Sequence, residues 1–410
     1  MMRVGLVGCG HIMPAHLHGY KALIEKGVDV RITALCARKI EDAKRYRKPG
    51  EGPPPRKPVG PPGDPMAVPH IHVYDFQNDL EVQVYDDYRK MLKEADIDAV
   101  EIYTSLFSHH PIAIESLEAG KHVLVEKPMA VSVKAASAMI EAAEKANKVL
   151  GVAESARYSA PTRMMKWALD QDYVGDPQVV VSLGIGGFWA PNRIVAETPW
   201  RHKKLLGGGG PTIDVGVHIF NVLRYYFGEV AELNGIVETI EKVRVTKDEA
   251  GKVKDEVKCE VDDTFIATFK FENGVLGHLF SSWAGHGGQT GSPLTIYGTR
   301  GCIRGDTLVL DDGTSADIEP LFEEKVSQSL REAFFPYGLR DTRALESLEF
   351  LRAIREGREM ETSGLEGLRD LAVSFAMIES SVAKSSVKVS DVKSGKIGHY
   401  QEEINRYYGL

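Results

Sequence analysis

The chain has 410 residues, more than one compact core usually holds, so two domains are expected. It is 43% hydrophobic and 26% charged, with a net charge of -8 and an isoelectric point of about 5.9. This balance is typical of a globular protein and argues against a nucleic-acid or membrane partner. No apolar run predicts a transmembrane helix, and the N-terminus lacks signal-peptide features. The four cysteines form no C-x-x-C motif, so we expect reduced thiols in a cytoplasmic protein.

Strand and helix patterns alternate through the first part of the chain. Helices are predicted between the strands, from Met13–Lys26 to Ser132–Asn147. Short apolar strands alternating with helices predict an α/β domain, a doubly wound parallel sheet of the Rossmann type, over residues 1–153. The predicted strands are Arg3–Val7, Val30–Cys36, Val82–Tyr85, Asp98–Tyr103, Lys121–Glu126 and Val149–Ala153.

A segment rich in proline and glycine interrupts this alternation. Residues 49–65 hold eight prolines and four glycines, a composition that excludes a helix or a central strand. We interpret residues 49–75 as an insertion between the second and third units of the sheet. A surface loop is the favoured interpretation, and an oligomer contact or a cover over a cofactor is the alternative.

Consecutive strands replace the alternation after residue 153. A glycine run and a long helix lead into consecutive strand patterns, from a first strand at Glu229–Val245 to a last one at Leu308–Leu310. This order predicts a second, α+β domain over residues 154–410, with a large, mostly antiparallel open sheet. Two helices, near Thr342–Glu356 and Leu365–Ala383, follow the strands.

The first predicted strand runs into a glycine turn and a helix. Gly8 permits a tight turn, and Gly10 leaves room for a pyrophosphate close to the backbone. His11 and Ile12 lead into the helix, whose N-terminal amides suit an anion. The third position of the dinucleotide fingerprint is Met13 instead of glycine or alanine. The motif is incomplete, but its place at the first strand–helix junction predicts a dinucleotide site.

The end of the second strand indicates which dinucleotide is bound. An acidic residue there usually binds the ribose 2′-hydroxyl of NAD. This chain has Ala37, Arg38 and Lys39 instead. A small residue followed by two cations favours the 2′-phosphate of NADP, with NAD as the alternative. The two cations can also be a solvated helix start.

Three side chains further along suit proton chemistry on an alcohol. Lys127 follows the fifth strand, at the sheet edge where ligands bind. Asp214 and His218 follow four glycines and stand at i and i+4, so they are expected to share one helix face. A carboxylate, an imidazole and a lysine can together handle one alcohol proton. Each alone can also be an ordinary surface group.

The glycine turn, "AGKHVLVEKPMA" and "GGGGPTIDVGVH" together closely resemble the Gfo/Idh/MocA family of NAD(P)-dependent oxidoreductases. The resemblance covers most of the chain, except the insertion and the last dozen residues. It implies a Rossmann domain followed by an α/β domain whose open sheet forms a homodimer or homotetramer. It also implies hydride transfer between nicotinamide C4 and a carbon of a sugar, cyclitol or related polyol.

Site roles also follow from the resemblance. Lys127 would orient the substrate hydroxyl, His218 would be the main acid/base, and Asp214 would bind substrate or tune His218. Glu126 would sit near the nicotinamide ribose. The substrate would also meet Trp189, Trp200 and Arg201, although these can be loop anchors. The further residues expected at the cofactor are Thr104, Ser105, His109 and Ser155.

Departures from the family pattern leave the substrate open. The usual T-P-N-x-x-H is Thr104-Ser105-Leu106-Phe107-Ser108-His109, and Ser155 stands where asparagine is frequent. His70, His72 and the His109-His110 pair have no partners at ligand spacing, so no metal is predicted. Two other functions stay open: a redox-assisted glycosidase or lyase with tightly bound NAD(P), and a non-catalytic nucleotide-sensing regulator.

Overall fold

A computed structural model gives the fold and describes residues 1–59, 63–186, 198–248, 250–287 and 289–410. The chain divides into two compact units. The first unit consists of residues 1–130, 135–155 and 335–367. The second consists of residues 131–134, 156–334 and 368–410. In the described part of the chain, no helix is both long enough and apolar enough to cross a bilayer.

The helices of the described residues are numbered in chain order. They are α1 (Met13–Glu25), α2 (Ile40–Arg47), α3 (Tyr88–Glu94), α4 (His109–Glu118), α5 (Val133–Ala146), α6 (Ala160–Asp170), α7 (Lys204–Gly207), α8 (Pro211–Asp214), α9 (Gly216–Phe227), α10 (Ile318–Lys325), α11 (Gln328–Phe334), α12 (Thr342–Glu356), α13 (Gly364–Ala383), α14 (Val389–Lys393) and α15 (Glu402–Tyr408).

The strands are numbered in the same way. They are β1 (Met2–Val7), β2 (Val30–Cys36), β3 (Gln83–Tyr85), β4 (Ala99–Ile102), β5 (His122–Glu126), β6 (Leu150–Ala153), β7 (Pro177–Gly186), β8 (Val230–Glu238), β9 (Val243–Lys247), β10 (Val253–Lys258), β11 (Thr264–Phe271), β12 (Leu276–Ser282), β13 (Gln289–Gly298), β14 (Gly301–Arg304), β15 (Thr307–Leu310), β16 (Ser315–Asp317) and β17 (Val387–Lys388).

The first unit is built on a six-stranded parallel sheet. Its strand order is β3-β2-β1-β4-β5-β6, so the doubly wound Rossmann sheet predicted from the sequence is confirmed. The central strands are buried apolar runs because helices cover a sheet of this type on both faces. The strand order reverses between β1 and β4. Ligands of such sheets bind beyond the carboxyl ends of the strands at this reversal.

A segment near the C-terminus completes the first unit. Helix α12 packs against α1 at Gly19, where an added Cβ would lie 2.9 Å from the backbone nitrogen of Ala344. Beyond α12, the backbone nitrogen of Val152 in β6 donates to the carbonyl of Thr362 at 2.8 Å. The division predicted at residue 153 placed this segment in the second domain. That assignment was wrong, because these contacts join residues 335–367 to the first unit.

The second unit contains a nine-stranded mixed sheet. Its order is β16-β15-β14-β13-β7-β12-β11-β8-β17, and every neighbouring pair is antiparallel except β7 with β12. The prediction of a large, mostly antiparallel sheet is therefore confirmed. Strands β9 and β10 form a separate pair. The single strand expected over Glu229–Val245 was wrong, because the amides of Ile240 and Glu241 donate to the Asp263 carboxylate and turn the chain there.

The two faces of this sheet differ in exposure. A row of paired residues that includes Phe269, Val180 and Ile296 is buried. The neighbouring row points to the other face, because successive side chains along a strand alternate. We call it the open-face row. It consists of Leu276, Val179, Tyr297, Cys302 and Val309, paired across five strands.

Candidate active site

The glycine turn after β1 has the shape that a dinucleotide site requires. Gly8 has a φ of +106°, and an added Cβ would lie 2.6 Å from the carbonyl carbon of Tyr103. At Gly10 no atom lies within 4 Å of an added Cβ, so the turn borders open space. The N-cap of α1 is Ile12, which provides no side-chain hydrogen bond to the first amides. These features fit a pyrophosphate bound at the helix N-terminus.

The remaining predicted residues of this turn differ in exposure. His11 is exposed and Ile12 is partly exposed. Met13, which replaces the third glycine of the fingerprint, is fully buried. The substitution is therefore accommodated in the core of the first unit, away from the open space at Gly10.

The residues predicted to choose the nucleotide follow β2. Ala37 is buried, and its amide donates to the carbonyl of Tyr85 at 3.1 Å. Arg38 and Lys39 are both exposed, directly before α2 begins at Ile40. The structure thus leaves two cationic side chains accessible at the carboxyl end of β2.

Lys127 lies immediately beyond β5, and two groups fix its backbone. The Lys127–Pro128 peptide is cis. The Lys127 amide donates to Oε2 of Glu126 at 3.0 Å, and the other carboxylate oxygen of Glu126 lies 2.9 Å from Nε2 of His16. His16 belongs to α1, so Glu126 links the first helix to the backbone of Lys127.

The charge state of Glu126 follows from its surroundings. Burial alone would raise the pKa of this carboxyl group. The hydrogen bond from His16 and the positive charges of His16, Lys127 and Arg343 outweigh burial and lower the pKa to about 2. Glu126 is therefore an ionised acceptor at neutral pH.

His109 connects the ends of β4 and β5. Its Nδ1 lies 2.9 Å from the carbonyl oxygen of Pro128, and its Nε2 lies 3.0 Å from that of Thr104. The ring is buried, which lowers the pKa of His109. Its ring nitrogens thus contact the backbone on both sides, next to Lys127. Its expected role at the cofactor stays a prediction, as do those of Thr104 and Ser105, which are partly exposed.

Sequence reasoning missed a buried carboxyl group behind this edge. Glu101 is fully buried in β4, where the hydroxyl of Tyr20 donates to it at 2.5 Å and the hydroxyl of Tyr103 donates as well. Burial raises the pKa of Glu101. The ring of Tyr103 also stacks on His16, with the centroids 3.9 Å apart. The sequence contained one indication of this buried acid, because Glu101 is a charged residue inside the apolar run "AVEIY".

Glu346 is a second buried acid that the sequence did not reveal. It lies in α12, is 0% exposed, and neither carboxyl oxygen has a hydrogen-bond partner among the described residues. Burial raises the pKa of Glu346 well above its ordinary value, and the negative charge of Glu126 adds to this. Both causes favour the protonated form of Glu346 in the folded protein.

In the second unit, the backbone of the four-glycine run packs closely against the backbone of two other segments. An added Cβ on Gly210 would lie 1.8 Å from the carbonyl oxygen of Asp262, and one on Gly208 would lie 2.9 Å from that of Val131. The Asp262 carboxylate accepts from the amide of Gly210 at 2.7 Å and from that of Thr212 at 3.0 Å. Asp262, another residue that sequence reasoning missed, thereby caps α8 from a distant part of the chain.

Asp214 and His218 do not belong to one regular helix. Asp214 ends α8, Val215 lies between the two helices with a φ of -104° and a ψ of -37°, still in the right-handed helical region, and His218 lies in the first turn of α9. The amide of Val215 donates to the carbonyl of Pro211 at 3.0 Å and that of Ile219 to the carbonyl of Val215 at 3.2 Å, so helical hydrogen bonds continue across the junction. That the two side chains share one face stays a prediction, and both are partly exposed. Nε of Arg201 lies 3.2 Å from Oδ2 of Asp214, and the Arg201 guanidinium lies 4.4 Å from the centre of the Trp200 ring.

Three of the residues predicted for substrate binding are thus connected in the second unit: Trp200, Arg201 and Asp214. Trp189 lies outside the described residues. Ser155, expected at the cofactor, is buried just beyond β6 in the first unit. Among the described residues, no three histidine, cysteine or acidic side chains form a group that could hold a metal ion. The expectation that no metal is bound stays a prediction.

Comparison with known proteins agrees with this arrangement. Residues 67–154 match the model of the oxidoreductase family with an NAD-binding Rossmann fold. Residues 162–304 match the model of the GFO/IDH/MocA C-terminal domain. The two matches together span more than half of the chain. It belongs to the Gfo/Idh/MocA oxidoreductase family. The family expected from the sequence is confirmed, and with it an oxidoreductase that uses a nicotinamide cofactor.

Relatives with established names align over most of this family member. Levoglucosan dehydrogenase of Pseudarthrobacter phenanthrenivorans is 24% identical over 96% of this chain and 99% of its own length. Myo-inositol 2-dehydrogenase of Thermotoga maritima is 26% identical over 76% of this chain and 85% of its own. A solved structure of levoglucosan dehydrogenase with NADH and L-sorbose superimposes with a TM-score of 0.73 at 23% identity, covering 96% of this chain and all of that one. This likeness establishes the shared fold.

Proposed function

We propose that this oxidoreductase transfers a hydride between nicotinamide C4 and a carbon of a sugar, cyclitol or related polyol. The observation that carries the proposal is the fixed position of Lys127. It lies at the carboxyl edge of the Rossmann sheet, and its amide is bound by the ionised Glu126. The named relatives act on levoglucosan and myo-inositol, both polyhydroxylated rings, and this supports the substrate class.

Each unit contributes distinct chemistry in this proposal. The bound nicotinamide ring would accept or return the hydride. In the first unit, the open turn at Gly10 leaves room for the pyrophosphate, and the Lys127 ammonium group orients the substrate hydroxyl. In the second unit, His218 takes the hydroxyl proton as the hydride leaves, so that the alcohol loses two electrons and two hydrogens. Asp214, held by Arg201, binds substrate or tunes His218.

NADP is the proposed cofactor, with NAD as the alternative. The end of β2 lacks the acidic residue that usually binds the ribose hydroxyl of NAD. Arg38 and Lys39 are exposed there and carry the positive charge that a 2′-phosphate requires.

The activity test uses a panel of sugars and cyclitols with NADP⁺ and NAD⁺. We expect reduction of NADP⁺ with at least one member of the panel. Lys127→Ala should lower kcat by about 10²- to 10⁴-fold, the usual contribution of a group that handles a proton. Lys145→Ala, in the last turn of α5, is the matched control because it removes an exposed lysine. The same fall for Lys145→Ala, or none for Lys127→Ala, would contradict the proposal.

A double variant tests the division of roles between the units. If Lys127 and His218 act on one proton, the Lys127→Ala/His218→Ala enzyme should be little slower than the slower single variant. Fully additive losses would show that the two residues act separately. Nucleotide that co-purifies with the protein, with no net change in NAD(P)H over the panel, would instead favour the redox-assisted glycosidase or lyase.

The open-face row supports self-association. Leu276 is 52% exposed and Tyr297 is 43% exposed, which is unusual for large apolar side chains in one continuous row. We propose that two copies pair through this face as a homodimer or as part of a homotetramer. Light scattering should then show a multimer for the wild type and a smaller species for Leu276→Asp. A wild-type monomer at micromolar concentration would contradict this.

A cytoplasmic location is part of the same proposal. Cys9, Cys36, Cys259 and Cys302 are all free thiols. Free thiols in every cysteine are typical of proteins from reducing compartments.

A further inference from the structure

The Pro/Gly-rich insertion contacts the second helix of the Rossmann unit. Gly52 lies so close to α2 that an added Cβ would be 2.6 Å from the backbone nitrogen of Arg45 and 2.7 Å from the carbonyl oxygen of Glu41. Nε of Arg45 also donates to the carbonyl of Pro54 at 2.9 Å. The described residues around Gly52 and Pro54 therefore follow α2 closely, at the edge of the sheet where β2 ends.

These contacts bring Arg56 to the first turn of α2. Its Nη2 lies 2.9 Å from Oδ1 of Asp42, which also binds Arg45. Burial raises the pKa of Tyr46, and the charge of the nearby Arg56 guanidinium opposes this shift. Tyr46 in turn donates to the carbonyl oxygen of Gly10 at 2.9 Å. Arg56 is thus connected on one side to the helix after β2 and on the other to the glycine turn after β1.

The position of Arg56 can be compared with the known dinucleotide site of a Rossmann sheet. The amide of Gly8 donates to the carbonyl of Cys36 at 2.8 Å, so the glycine turn lies next to the end of β2. The adenosine ribose of a dinucleotide binds between these two features. Arg56 therefore borders the space in which the ribose 2′-position lies when a dinucleotide is bound.

The charge and exposure of Arg56 suit an anion at that position. Its side chain is 31% exposed, while its Nε is buried without a hydrogen-bond partner among the described residues. Arg45 and Arg56 share the single carboxylate of Asp42, which leaves a net positive charge. The nearby acid Glu51 is already paired with Arg47. The exposed part of a guanidinium can bind a phosphate with two parallel hydrogen bonds.

We propose that Arg56, a residue of the Pro/Gly-rich insertion, binds the 2′-phosphate of NADP together with Arg38 and Lys39. The inference rests on the cofactor preference proposed above. The insertion would thereby add a third cation to the adenosine end of the cofactor site. The insertion would then act as a determinant of cofactor choice and not only as a surface loop.

The test measures binding without any hydride transfer. Adenosine 2′,5′-bisphosphate and 5′-AMP differ only in the 2′-phosphate, so their affinity ratio reports on that group alone. By titration calorimetry, we expect the wild type to prefer the bisphosphate. Arg56→Ala should weaken bisphosphate binding by about 10- to 100-fold, the range for a hydrogen bond between charged groups, and change 5′-AMP binding by less than about threefold.

Two further variants make the result specific. Arg56→Lys keeps the charge but loses the two-pronged geometry, so its bisphosphate affinity should lie between those of wild type and Arg56→Ala. Lys57→Ala removes the neighbouring exposed cation of the insertion and should leave the affinity ratio unchanged. Equal weakening of both ligands by Arg56→Ala, or no weakening, would overturn the proposal. A wild type that does not prefer the bisphosphate would overturn it too.

The outcome is independent of the sugar assay. Loss of 2′-phosphate discrimination in Arg56→Ala would support the assignment even if no member of the sugar panel were oxidised. The converse result is that the wild-type protein oxidises a sugar while its Arg56→Ala variant keeps the same affinity ratio. That result would support the proposed activity and contradict only the role of Arg56.

Discussion

Each compact unit buries a cluster of charged side chains, and the two clusters are built differently. In the second unit, Arg224 binds Asp370 at 2.5 Å and Glu229 at 2.6 Å. The amide of Asn221 donates to the other oxygen of Asp370 at 2.6 Å, and Arg157 donates to Asn221 at 3.0 Å. Both carboxylate oxygens of Asp370 therefore have partners, as a buried charge requires.

The cluster in the first unit is paired less completely. Glu101, Glu126 and Glu346 influence one another's ionisation, and their pKa values are shifted in opposite directions. Glu126 is bound through both oxygens, whereas Glu346 has no hydrogen-bond partner among the described residues. The acid with the depressed pKa is also the one that contacts the backbone of Lys127.

The difference separates a structural cluster from a functional one. Complete pairing holds a fold together, while buried acids with strongly shifted pKa values cluster at sites of chemistry. We therefore expect substitutions in the second-unit cluster to change stability at every pH. Substitutions in the first-unit cluster should change how stability depends on pH. Three variants test this expectation.

Asp370→Ala should have the largest effect. It leaves the buried Arg224 guanidinium without one of its two carboxylates, and breaking such a pair costs about 3–5 kcal/mol. Urea denaturation followed by circular dichroism measures the free energy of unfolding. Asp170→Ala is the control, because it removes an exposed partner of Lys166 and should cost less than about 1 kcal/mol. A loss below 1 kcal/mol for Asp370→Ala would mean that the second-unit cluster is not structural.

Glu126→Gln should have an intermediate, pH-dependent effect. The folded-state pKa of Glu126 is about 2, below its ordinary value of 4.5, so ionised Glu126 stabilises the fold above pH 4.5. Its contribution is on the order of 2–3 kcal/mol and is lost as the pH falls from 4.5 towards 2. The free-energy difference between wild type and variant should therefore shrink across this range. A difference that stays constant from pH 7 to pH 3 would contradict the low pKa.

Glu346→Gln should have the smallest effect, with the opposite sign. The pKa of Glu346 is raised in the folded state, so folding above pH 4.5 must take up a proton, and this destabilises the wild type as the pH rises. The variant takes up no proton. Just above pH 4.5 it should gain on the order of 1 kcal/mol relative to wild type, and the gain should increase as the pH rises, measured by denaturation at several pH values. A gain that does not vary with pH would indicate a packing effect.

Local sequence patterns predicted the fold better than they predicted the site. The six strands of the Rossmann sheet were visible because each is a short apolar run between helices, and β2 was placed at Val30–Cys36 as observed. Lys127 stood out as a charge at the end of such a run. The helix around Asp214 was predicted as continuous, because nothing local to the residues near Val215 signals the irregularity that divides it into α8 and α9.

The residues that the sequence did not reveal depend on contacts between distant parts of the chain. Asp262 binds the amides of Gly210 and Thr212, about fifty positions earlier. His16 meets Glu126 although 110 positions separate them. Glu346 looks like any exposed acid of an amphipathic helix until α12 is placed against α1. The spacing of apolar residues predicts which residues are neighbours within one helix or strand. It gives no information on contacts between distant segments of the chain.

The discontinuous first unit has a consequence for how the protein is made. The Gly19 contact with α12 and the bond from Val152 to Thr362 need residues that leave the ribosome long after Ser155. The cofactor-binding unit therefore stays unfinished until residues 335–367 have been synthesised. A fragment that stops at the end of β6 would expose the surface of α1 that α12 covers. A shortened protein that contains only the nucleotide-binding unit would therefore have to include residues 335–367 as well.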